Sequence, residues 1–265
     1  MAAARTVLLT GAAGAIGTAI RPALRERCRE LRLLDRRAPA APQPGERVVL
    51  ADITDPAALD AAADSVDCIV HLAGIAQDDT WPALRAANVD GTLNVFEAAR
   101  RRGVRRVVFA SSHHVVAFRP LGERVAIDAE LRPTGLYGVT KAFGEALGRL
   151  YSVKHGIEVV CLRIAAFQPE PRDHRQLLLW ISPRDMAQLA VRSVEAEPVD
   201  FLTVFGVSNN ARNPYDRAGW DRLGYAPQDD AERWIGSSPD LLGRATKETD
   251  RFYGGEACLH GPVER

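Results

Sequence analysis

The 265-residue sequence predicts a doubly wound parallel α/β sheet with a small C-terminal cap. Short apolar runs lack the alternation of a one-sided sheet, so they are typical of strands covered by helices on both faces. These runs alternate with longer helical stretches, which favours parallel strands joined by crossover connections. A glycine-rich turn also follows the first run directly, where such a sheet binds its ligand.

Seven apolar runs are the predicted strands, and five longer segments are the predicted helices. The strands span residues 6–10, 31–34, 48–51, 68–72, 107–110, 159–164 and 201–205. The helices span residues 15–28, 56–64, 82–102, 137–155 and 184–196. The basic run from Arg100 to Arg106 is interpreted as a helix end, with Gly103 as its C-cap, because the helix dipole favours arginine there.

The composition argues against several classes of partner. The chain is 46% hydrophobic, and its 34 basic residues balance 34 acidic ones. This balance leaves no electrostatic footprint for nucleic acid or an anionic membrane. No segment approaches the ~18 apolar residues of a membrane span, and no long apolar stretch precedes the first strand. Cys68 and Cys161 lie in apolar runs, which suits buried thiols in a reducing compartment, so we expect a cytoplasmic protein.

The first strand runs into TGAAGAIGTAI, where Gly11, Gly14 and Gly17 have the spacing G-x-x-G-x-x-G. Glycine tightens the turn and lets the backbone approach a pyrophosphate, which rests on the N-terminus of the following helix. Because the motif follows a strand and opens a helix, it predicts a Rossmann-type dinucleotide site. Further cofactor contacts are expected within this loop from Ala13, Ala15 and Ile16.

The end of the second strand indicates which dinucleotide binds. Asp35 lies 18 residues beyond Gly17, where a carboxylate accepts hydrogen bonds from the adenosine ribose diol, which points to NAD. Arg36 follows, and an arginine there suits the 2′-phosphate of NADP instead. Because Asp35 would repel that phosphate, NAD is the favoured cofactor.

The carboxyl ends of later strands supply the remaining cofactor contacts, because an open parallel sheet binds its ligand along that edge. The segment ADITD brings two residues towards the adenine, and HLAG brings three beside the cofactor. The predicted contacts are Asp52, Ile53, Leu72, Ala73 and Gly74, with Asn88 and Ile164 completing the set.

A tyrosine and a lysine lie four residues apart in LYGVTKAFGEALGRLY, on one face of a predicted helix. Only three of the 34 basic residues are lysines, so Tyr137 and Lys141 are an unusual pair, and Ser112 ends a strand 25 residues earlier. A lysine suits a site that needs a compact ammonium. The buried face of this helix is expected to include Val139, Phe143, Ala146 and Leu150.

These three residue types have complementary chemistry beside a dinucleotide. A phenol with a pKa of ~10 is a poor base at neutral pH. A nearby ammonium and the positive nicotinamide ring favour the phenolate and bring that pKa towards neutrality. Tyr137 is therefore the expected proton acceptor, Ser112 the partner of the substrate oxygen, and Lys141 the residue that also reaches the nicotinamide ribose. Ser111 is expected to be structural.

The adjacent imidazoles of His113 and His114 raise the question of a metal. No cysteine or carboxylate lies at ligand spacing, so a metal is not expected. Adjacent residues at a strand end point in opposite directions, so we expect one histidine to face the substrate and the other to pack or meet solvent.

The predicted domain organisation is one domain over residues 1–265. Residues 1–164 form the dinucleotide-binding core with the catalytic helix. The strand and helix pattern loosens beyond about residue 165, where Pro, Asn and Arg become frequent. We expect 165–183 and 207–265 to form a small substrate cap, with 184–206 returning to the core.

The motifs together resemble the extended short-chain dehydrogenase/reductase family, within the NAD-dependent epimerase/dehydratase group. They are TGAAGAIG, the strand-end Ser112 and Tyr137-x-x-x-Lys141. The strongest resemblance is to the uronate dehydrogenase family. The segments that carry it are HLAGIA, NVDGTLNVFEAAR, VVFASSHH, LYGVTKAFGE, LRIAAFQPEPRDHR and GYAPQDDAERW, which run over nearly the whole chain.

The resemblance implies oxidation of C1 of a hexuronic acid to an aldarolactone with NAD. It aligns Arg175 with the arginine that holds the substrate carboxylate. Three positions depart from the family pattern, since Ala76 and Ala166 replace hydroxyl residues and His113 replaces an asparagine. The implied substrate contacts are Ala76, Ser112, His113, His114, Tyr137, Ala166 and Arg175.

Two alternatives share this fold. An epimerase, dehydratase or carbonyl reductase acting on an activated sugar would need a larger cap to bind the nucleotide. A non-catalytic NAD sensor would have no use for Ser112, Tyr137 and Lys141. The favoured interpretation is a dehydrogenase for a small carboxylate-bearing sugar, which we expect to assemble as a homo-oligomer.

Overall fold

The computed structural model describes residues 5–237 and 251–259. Its centre is a seven-stranded parallel sheet with the strand order β3-β2-β1-β4-β5-β6-β9. The strands of this sheet are β1 (Thr6–Thr10), β2 (Glu30–Asp35), β3 (Glu46–Leu50), β4 (Cys68–His71), β5 (Arg106–Ser112), β6 (Glu158–Ile164) and β9 (Phe201–Gly206). All seven predicted strands are therefore present, and the predicted fold class is confirmed.

The longer helices lie between these strands. They are α1 (Ala15–Arg25), α2 (Pro56–Ala62), α4 (Gly91–Arg102), α5 (Leu136–His155) and α7 (Pro183–Glu195). Shorter elements are α3 (Trp81–Leu84), α6 (His174–Leu179) and α8 (Trp220–Leu223), with 3₁₀ turns at His113–Val115, Ala231–Trp234 and Gly255–Cys258. The two short strands β7 (Ala166–Phe167) and β8 (Trp180–Ile181) pair with each other, apart from the main sheet.

Side chains on both faces of the sheet are buried, as the continuous apolar runs predict. In β1, Val7 and Leu9 pack on the side of α1 and α7, while Leu8 packs on the opposite side. In β5, Val108 and Phe109 divide between the two faces in the same way. Because both faces of these strands are covered, neither face needs polar side chains. The sequence therefore lacks the period-two alternation of apolar and polar residues.

The third predicted helix, residues 82–102, is interrupted. The chain forms α3, then a π-helical segment over Arg85–Asp90, and then α4. The π-helical segment carries Asn88, which is buried and donates through its amide to the carbonyl oxygen of Ile75 at 2.9 Å. A π turn frequently marks a functional site, and here it directs a polar side chain towards the loop after β4.

The predicted buried face of α5 is wrong at three of its four positions, since only Phe143 packs, partly buried, against the core. Val139 and Leu150 are 45% and 51% exposed, and Ala146 is also exposed. The face that packs on the sheet instead presents glycine, because Gly144 lies against the ring of Phe109 and has no room for a Cβ. Apolar periodicity alone misplaced this face, since the close approach of helix and strand selects small residues there.

The basic run ends a helix and then begins a strand. Helix α4 ends at Arg102, and Gly103 follows in the left-handed conformation with φ 65°. Arg101 and Arg102 pair with Asp60. The interpretation of Arg100–Arg102 as a helix end is therefore confirmed, while Arg105 and Arg106 have a different role.

Arg106 is fully buried and joins β5 to β6 and α7. Its Nε donates to Glu158 at 2.6 Å. Its two terminal nitrogens donate to the carbonyl oxygens of Ser193, Val194, Ala196 and Glu197. Arg105 binds the same Glu158 at 2.8 Å but is half-exposed. The two arginines share one carboxylate and differ mainly in burial.

The predicted cap is only partly described. Residues 165–183 contain β7, α6 and β8, and α7 and β9 then return to the sheet. Of the predicted cap segment 207–265, residues 238–250 and 260–265 lie outside the described part of the chain. The division into core and cap stays a prediction. Within the described ranges, no helix has the length and apolar character needed to cross a membrane.

We expect Arg106→Met to lower the free energy of unfolding by about 3–5 kcal/mol, because Glu158 loses its buried partner and the carbonyl oxygens of Ser193 and Val194 lose a buried donor. The matched control is Arg105→Met, which should change that free energy by less than about 1 kcal/mol because Arg105 is half-exposed. Urea unfolding of both variants measures the difference. Equal losses would show that Arg106 contributes no more than a surface ion pair.

Candidate active site

Two adjoining cavities lie at the carboxyl edge of the sheet, with volumes of about 440 and 490 Å³. The β5-side cavity holds Ser112 and Tyr137 in its wall, and the β2-side cavity holds Asp35 and Asp52. Both are lined by Gly11, Gly14, Leu72, Gly74 and Ile75. They meet above β1 and β4, where the strand order changes direction, which is the ligand position of a doubly wound sheet.

The glycine loop forms the floor between the two cavities. Gly11 has φ +73°, and a Cβ there would lie 2.7 Å from the amide nitrogen of Ala73. A Cβ on Gly17 would overlap the carbonyl oxygen of Gly11. Gly14 is the N-cap of α1, where no side chain accepts from the first backbone N–H groups. The loop therefore presents free donors at a helix N-terminus, as a pyrophosphate requires.

The carboxylate of Asp35 is held at the end of β2. It accepts from the backbone N–H of Ala13 at 2.9 Å and from that of Arg37 at 3.0 Å. Arg36 is exposed, and its guanidinium lies 3.8 Å from the carboxylate of Asp52. Asp35 is thus fixed beside the glycine loop, while Arg36 is directed towards another carboxylate of the same cavity.

Most predicted cofactor contacts line one of the two cavities. The β2-side cavity is lined by Asp35, Arg36, Asp52, Ile53 and Ala73. The β5-side cavity is lined by Ala15, Ile16, Gly17, Lys141 and Ile164. Ala13 and Asn88 line neither. The amide oxygen of Asn88 accepts from Ile75 N–H at 2.8 Å and would meet a Cβ on Gly74, so Asn88 shapes the loop beside the cavity.

Ser112, Tyr137 and Lys141 all line the β5-side cavity. Ser112 ends β5, and its hydroxyl is close enough to the Tyr137 phenol to lower the pKa of that phenol. The Lys141 ammonium donates to the carbonyl oxygen of Ala110 at 2.9 Å and lies 5.7 Å from the centre of the Tyr137 ring. The i, i+4 spacing on α5 therefore brings phenol and ammonium to one wall, facing the strand-end serine.

Burial controls the protonation of this group. It raises the pKa of Tyr137 to about 12, against the opposing effect of the Ser112 hydrogen bond, and the charge of Asp78 raises it further. Burial also lowers the pKa of Lys141 to about 8. The residues of the chain thus favour a protonated phenol at neutral pH, and a further positive charge is needed to favour the phenolate.

The expectation that His113 and His114 point apart is wrong. Both line the β5-side cavity, and their ring centres are 4.4 Å apart. Strand β5 ends at Ser112 and the two histidines enter a 3₁₀ turn, where successive side chains no longer alternate. His113 pairs with the hydroxyl of Tyr215 at 2.9 Å, and His114 pairs with that of Thr134 at 2.8 Å.

Both histidines are neutral in this setting. Burial, followed by the charge of Arg175, lowers the pKa of His114 to about 4. Burial also lowers the pKa of His113 far below its ordinary value. The charged side chains lining the β5-side cavity, among the residues described, are then the two cations Lys141 and Arg175. The cavity thus suits an anionic ligand.

Arg175 lies in α6 and lines the β5-side cavity together with Ala76 and Ala166. Its Nη1 donates to the carbonyl oxygen of Tyr253 at 3.0 Å. Gln176 also reaches the cavity, and the sequence analysis did not select it, although it directly follows Arg175. The two predicted alanine positions offer methyl groups to the cavity where the resemblance implies hydroxyls.

Two carboxylates that were not predicted from the sequence hold α5 in place. Asp78 accepts from the backbone N–H of Tyr137 at 2.8 Å and so caps this helix from the loop after β4. Glu145 accepts from Ser111 at 2.6 Å and pairs with Arg163 at 2.9 Å, all in the interior. Glu145 follows Lys141 by four residues, a signal the sequence contains, whereas Asp78 is 59 residues from its partner. Ser111 is structural, as expected.

The part of the chain that the structure describes holds no cluster of three or more His, Cys, Asp or Glu side chains placed to bind a metal ion.

Comparison with known proteins gives matches over nearly the whole chain. A uronate dehydrogenase from Pseudomonas putida is 35% identical over 259 residues, covering 97% of this chain and 96% of that protein. A solved structure of uronate dehydrogenase from Agrobacterium tumefaciens, a mutant complexed with NAD, is 33% identical with a TM-score of 0.92. The match covers 98% of this chain and 99% of that one.

A glucuronic acid dehydrogenase structure from Chromohalobacter salexigens is similar to the same degree, with 34% identity and a TM-score of 0.93 over 97% of this chain and 98% of that one. The model of the NAD dependent epimerase/dehydratase family matches residues 7–192. The matched residues include the glycine loop between the two cavities, together with Ser112, Tyr137 and Lys141. The chain belongs to the NAD-dependent epimerase/dehydratase family.

Proposed function

We propose that this chain is an NAD-dependent dehydrogenase that oxidises the anomeric C1 hydroxyl of a hexuronic acid, or a related carboxylate-bearing sugar, to the lactone. One observation carries the proposal. Ser112, Tyr137 and Lys141 line the same cavity as the guanidinium of Arg175. None of the described residues that line this cavity carries a carboxylate. The uronate dehydrogenases of Pseudomonas putida and Agrobacterium tumefaciens support this choice of substrate.

The residues present fit an NAD molecule. Uncapped backbone N–H groups at the start of α1 suit the pyrophosphate. Gly11 and Gly17 let the loop backbone pack tightly beneath these groups, since a Cβ on either residue would overlap neighbouring backbone atoms. Asp35 suits the adenosine ribose diol, since its carboxylate lies at the cavity wall. When bound, NAD supplies a hydride acceptor and a positive nicotinamide ring.

The protein's own groups then handle the proton and the position of the substrate. Ser112 donates to the substrate oxygen and Tyr137 accepts the hydroxyl proton, as hydride leaves the same carbon. The C–H and O–H bonds break and a carbonyl forms, so the sugar is oxidised by two electrons. Lys141 holds positive charge near the phenol and stabilises the phenolate as it forms.

Arg175 is the proposed partner of the substrate carboxylate. Its charge and that of Lys141 lie on the wall of one cavity, while His113 and His114 are neutral. A guanidinium can hold a carboxylate through two parallel hydrogen bonds, which orients the far end of the sugar. The reacting carbon then faces Tyr137. Ala76 and Ala166 present methyl groups to the same cavity. A sugar hydroxyl that faces either methyl group loses its hydrogen-bond partner, so binding of that sugar is disfavoured.

The two alternatives receive less support. A nucleotide-sugar enzyme needs a second binding region, and the Pseudomonas putida uronate dehydrogenase and this chain cover each other almost completely. A sensor does not need the buried Tyr137 and Lys141 pair. The expected homo-oligomer is supported by apolar residues exposed along α5, since Val153 is 78% exposed and Leu150 51%. Buried Cys68 and Cys161 thiols support the expected cytoplasmic location.

The direct test is a screen of hexuronic acids and neutral aldoses with NAD and NADP, followed by absorbance of the reduced nicotinamide. We expect NAD reduction with at least one hexuronic acid and a preference for it over the aldose that lacks the carboxylate. Turnover of neutral aldoses alone would contradict the proposal.

Replacing Tyr137 with Phe should lower kcat by roughly 10²–10⁴-fold, because the proton acceptor is lost. Binding of reduced NAD, followed by fluorescence titration, should stay nearly unchanged. Tyr151→Phe is the control on the same helix, since Tyr151 binds Glu97 outside both cavities and should keep full activity. A Tyr137→Phe enzyme with more than a tenth of the normal kcat would rule out this general base.

Replacing Asp35 with Ala should weaken NAD binding and shift the ratio of NAD to NADP activity towards NADP, because the ribose partner is lost together with a charge that repels the 2′-phosphate. Steady-state kinetics with both cofactors measures this ratio. An unchanged ratio would show that Asp35 does not contact the ribose.

Replacing Arg175 with Lys should raise the KM for the hexuronic acid by more than tenfold, because an ammonium cannot form the two parallel hydrogen bonds. The loss corresponds to a charge-assisted interaction of roughly 1.5–3 kcal/mol. The control is the same enzyme acting on a neutral aldose, whose KM should barely move. If the KM rises by the same factor for both substrates, Arg175 has a structural role only.

A further inference from the structure

The segment 251–259 contacts Arg175, a lining residue of the β5-side cavity, through Tyr253 and Gly255. Its backbone is bonded to residues 117–121, since Gly254 N–H donates to Ala117 at 2.9 Å and Tyr253 N–H donates to Arg119 at 3.0 Å. A third bond joins the N–H of Leu121 to the carbonyl oxygen of Arg251 at 3.0 Å. The segment is therefore tied to the rest of the fold on either side of its contact with Arg175.

Tyr253 anchors this segment from inside the protein. Its side chain is fully buried. Its hydroxyl accepts from Gly122 N–H at 3.0 Å and donates to the carbonyl oxygen of Glu123 at 2.8 Å. Because the hydroxyl both accepts and donates within the fold, the buried side chain limits movement of the backbone at Tyr253.

The guanidinium of Arg175 rests on this backbone. Its Nη1 donates to the Tyr253 carbonyl oxygen at 3.0 Å. Gly255 has φ +59°, and a Cβ at that position would lie 2.9 Å from Nε of Arg175 and 3.4 Å from its Cδ and Cζ. Because Gly255 has no side chain, the side chain of Arg175 has room to pass beside it and reach the cavity.

We propose that Tyr253–Gly255 positions Arg175 and thereby sets the selectivity of the enzyme for substrates that carry a carboxylate. This inference rests on the proposed function, because it requires Arg175 to bind the substrate acid. Gly255 is a positioning residue that gives the guanidinium its path. The Tyr253 carbonyl occupies one of its donors and leaves the others for the ligand.

Positioning matters here because a free arginine side chain has many rotamers. Immobilising such a side chain on binding costs conformational entropy, which an already ordered guanidinium avoids. The bidentate geometry also tolerates little displacement of the fork. A shift of Arg175 should therefore reduce the affinity for the acid and leave the reaction at Tyr137 intact.

The test compares Gly255→Ala with Gly156→Ala. Gly156 caps α5 with φ +67°, and no atom lies within 4 Å of a Cβ built there. Both variants thus place alanine in the left-handed region, at a similar cost to the backbone. Only Gly255→Ala adds a methyl group against Arg175, so the difference between the variants isolates that contact.

The measured quantity is the ratio of kcat/KM for a hexuronic acid to kcat/KM for the matching neutral aldose. This ratio does not depend on how much of the enzyme folds. We expect Gly255→Ala to lower it about tenfold, mainly through the KM of the acid, while Gly156→Ala keeps the wild-type ratio. Tyr253→Phe loosens the segment without touching Arg175 and should lower the ratio in the same direction by a smaller factor.

Two results would overturn the inference. One is a wild-type ratio in Gly255→Ala, and the other is an equal loss on acidic and neutral substrates. Failure of the proposed function has a different signature, since the wild-type enzyme would then not prefer the acid, or Arg175→Lys would leave its KM unchanged. An enzyme that prefers the acid and depends on Arg175 but not on Gly255 rejects only this inference.

Discussion

The close packing of α5 on β5 is the constraint on which the rest of the site depends. Gly144 lets the helix approach the ring of Phe109, so that Tyr137 and Lys141 reach the level at which β5 ends in Ser112. Buried polar contacts then set the helix position, since Glu145 bonds to Ser111 at 2.6 Å and pairs with Arg163 at 2.9 Å. A buried ion pair of this kind tolerates little change in geometry, because unpaired charge in the interior is costly.

Burial has opposite consequences for the two titratable residues of the proton-transfer group. It lowers the pKa of Lys141 to about 8 and raises that of Tyr137 to about 12, so the proton-transfer group depends on the charges placed around it. The same burial keeps His114 neutral, with its pKa lowered to about 4. Arg175 then remains charged at the far end, and the cavity can distinguish the acidic end of a sugar from its reacting end.

The site also depends on contacts that are very distant in the sequence. Asp78 caps the helix that carries Tyr137, 59 residues away, and Tyr253 supports Arg175 from 78 residues away. Neither contact adds a reactive group to the cavity. Each contact reduces the conformational freedom of a group that must meet the substrate in one orientation. Such preorganisation strengthens binding, because less conformational entropy is lost when the substrate binds.

The sequence by itself determined the sheet, its glycine loop, the Asp35 position and the Ser112, Tyr137 and Lys141 group, because each depends on local spacing or on strands buried on both faces. The resemblance added Arg175, which lines the cavity. Only the tertiary structure decided which face of α5 is buried, that both His113 and His114 reach one cavity, and what supports Arg175. The physical reason is that these features depend on how closely separate segments approach, which apolar periodicity does not encode.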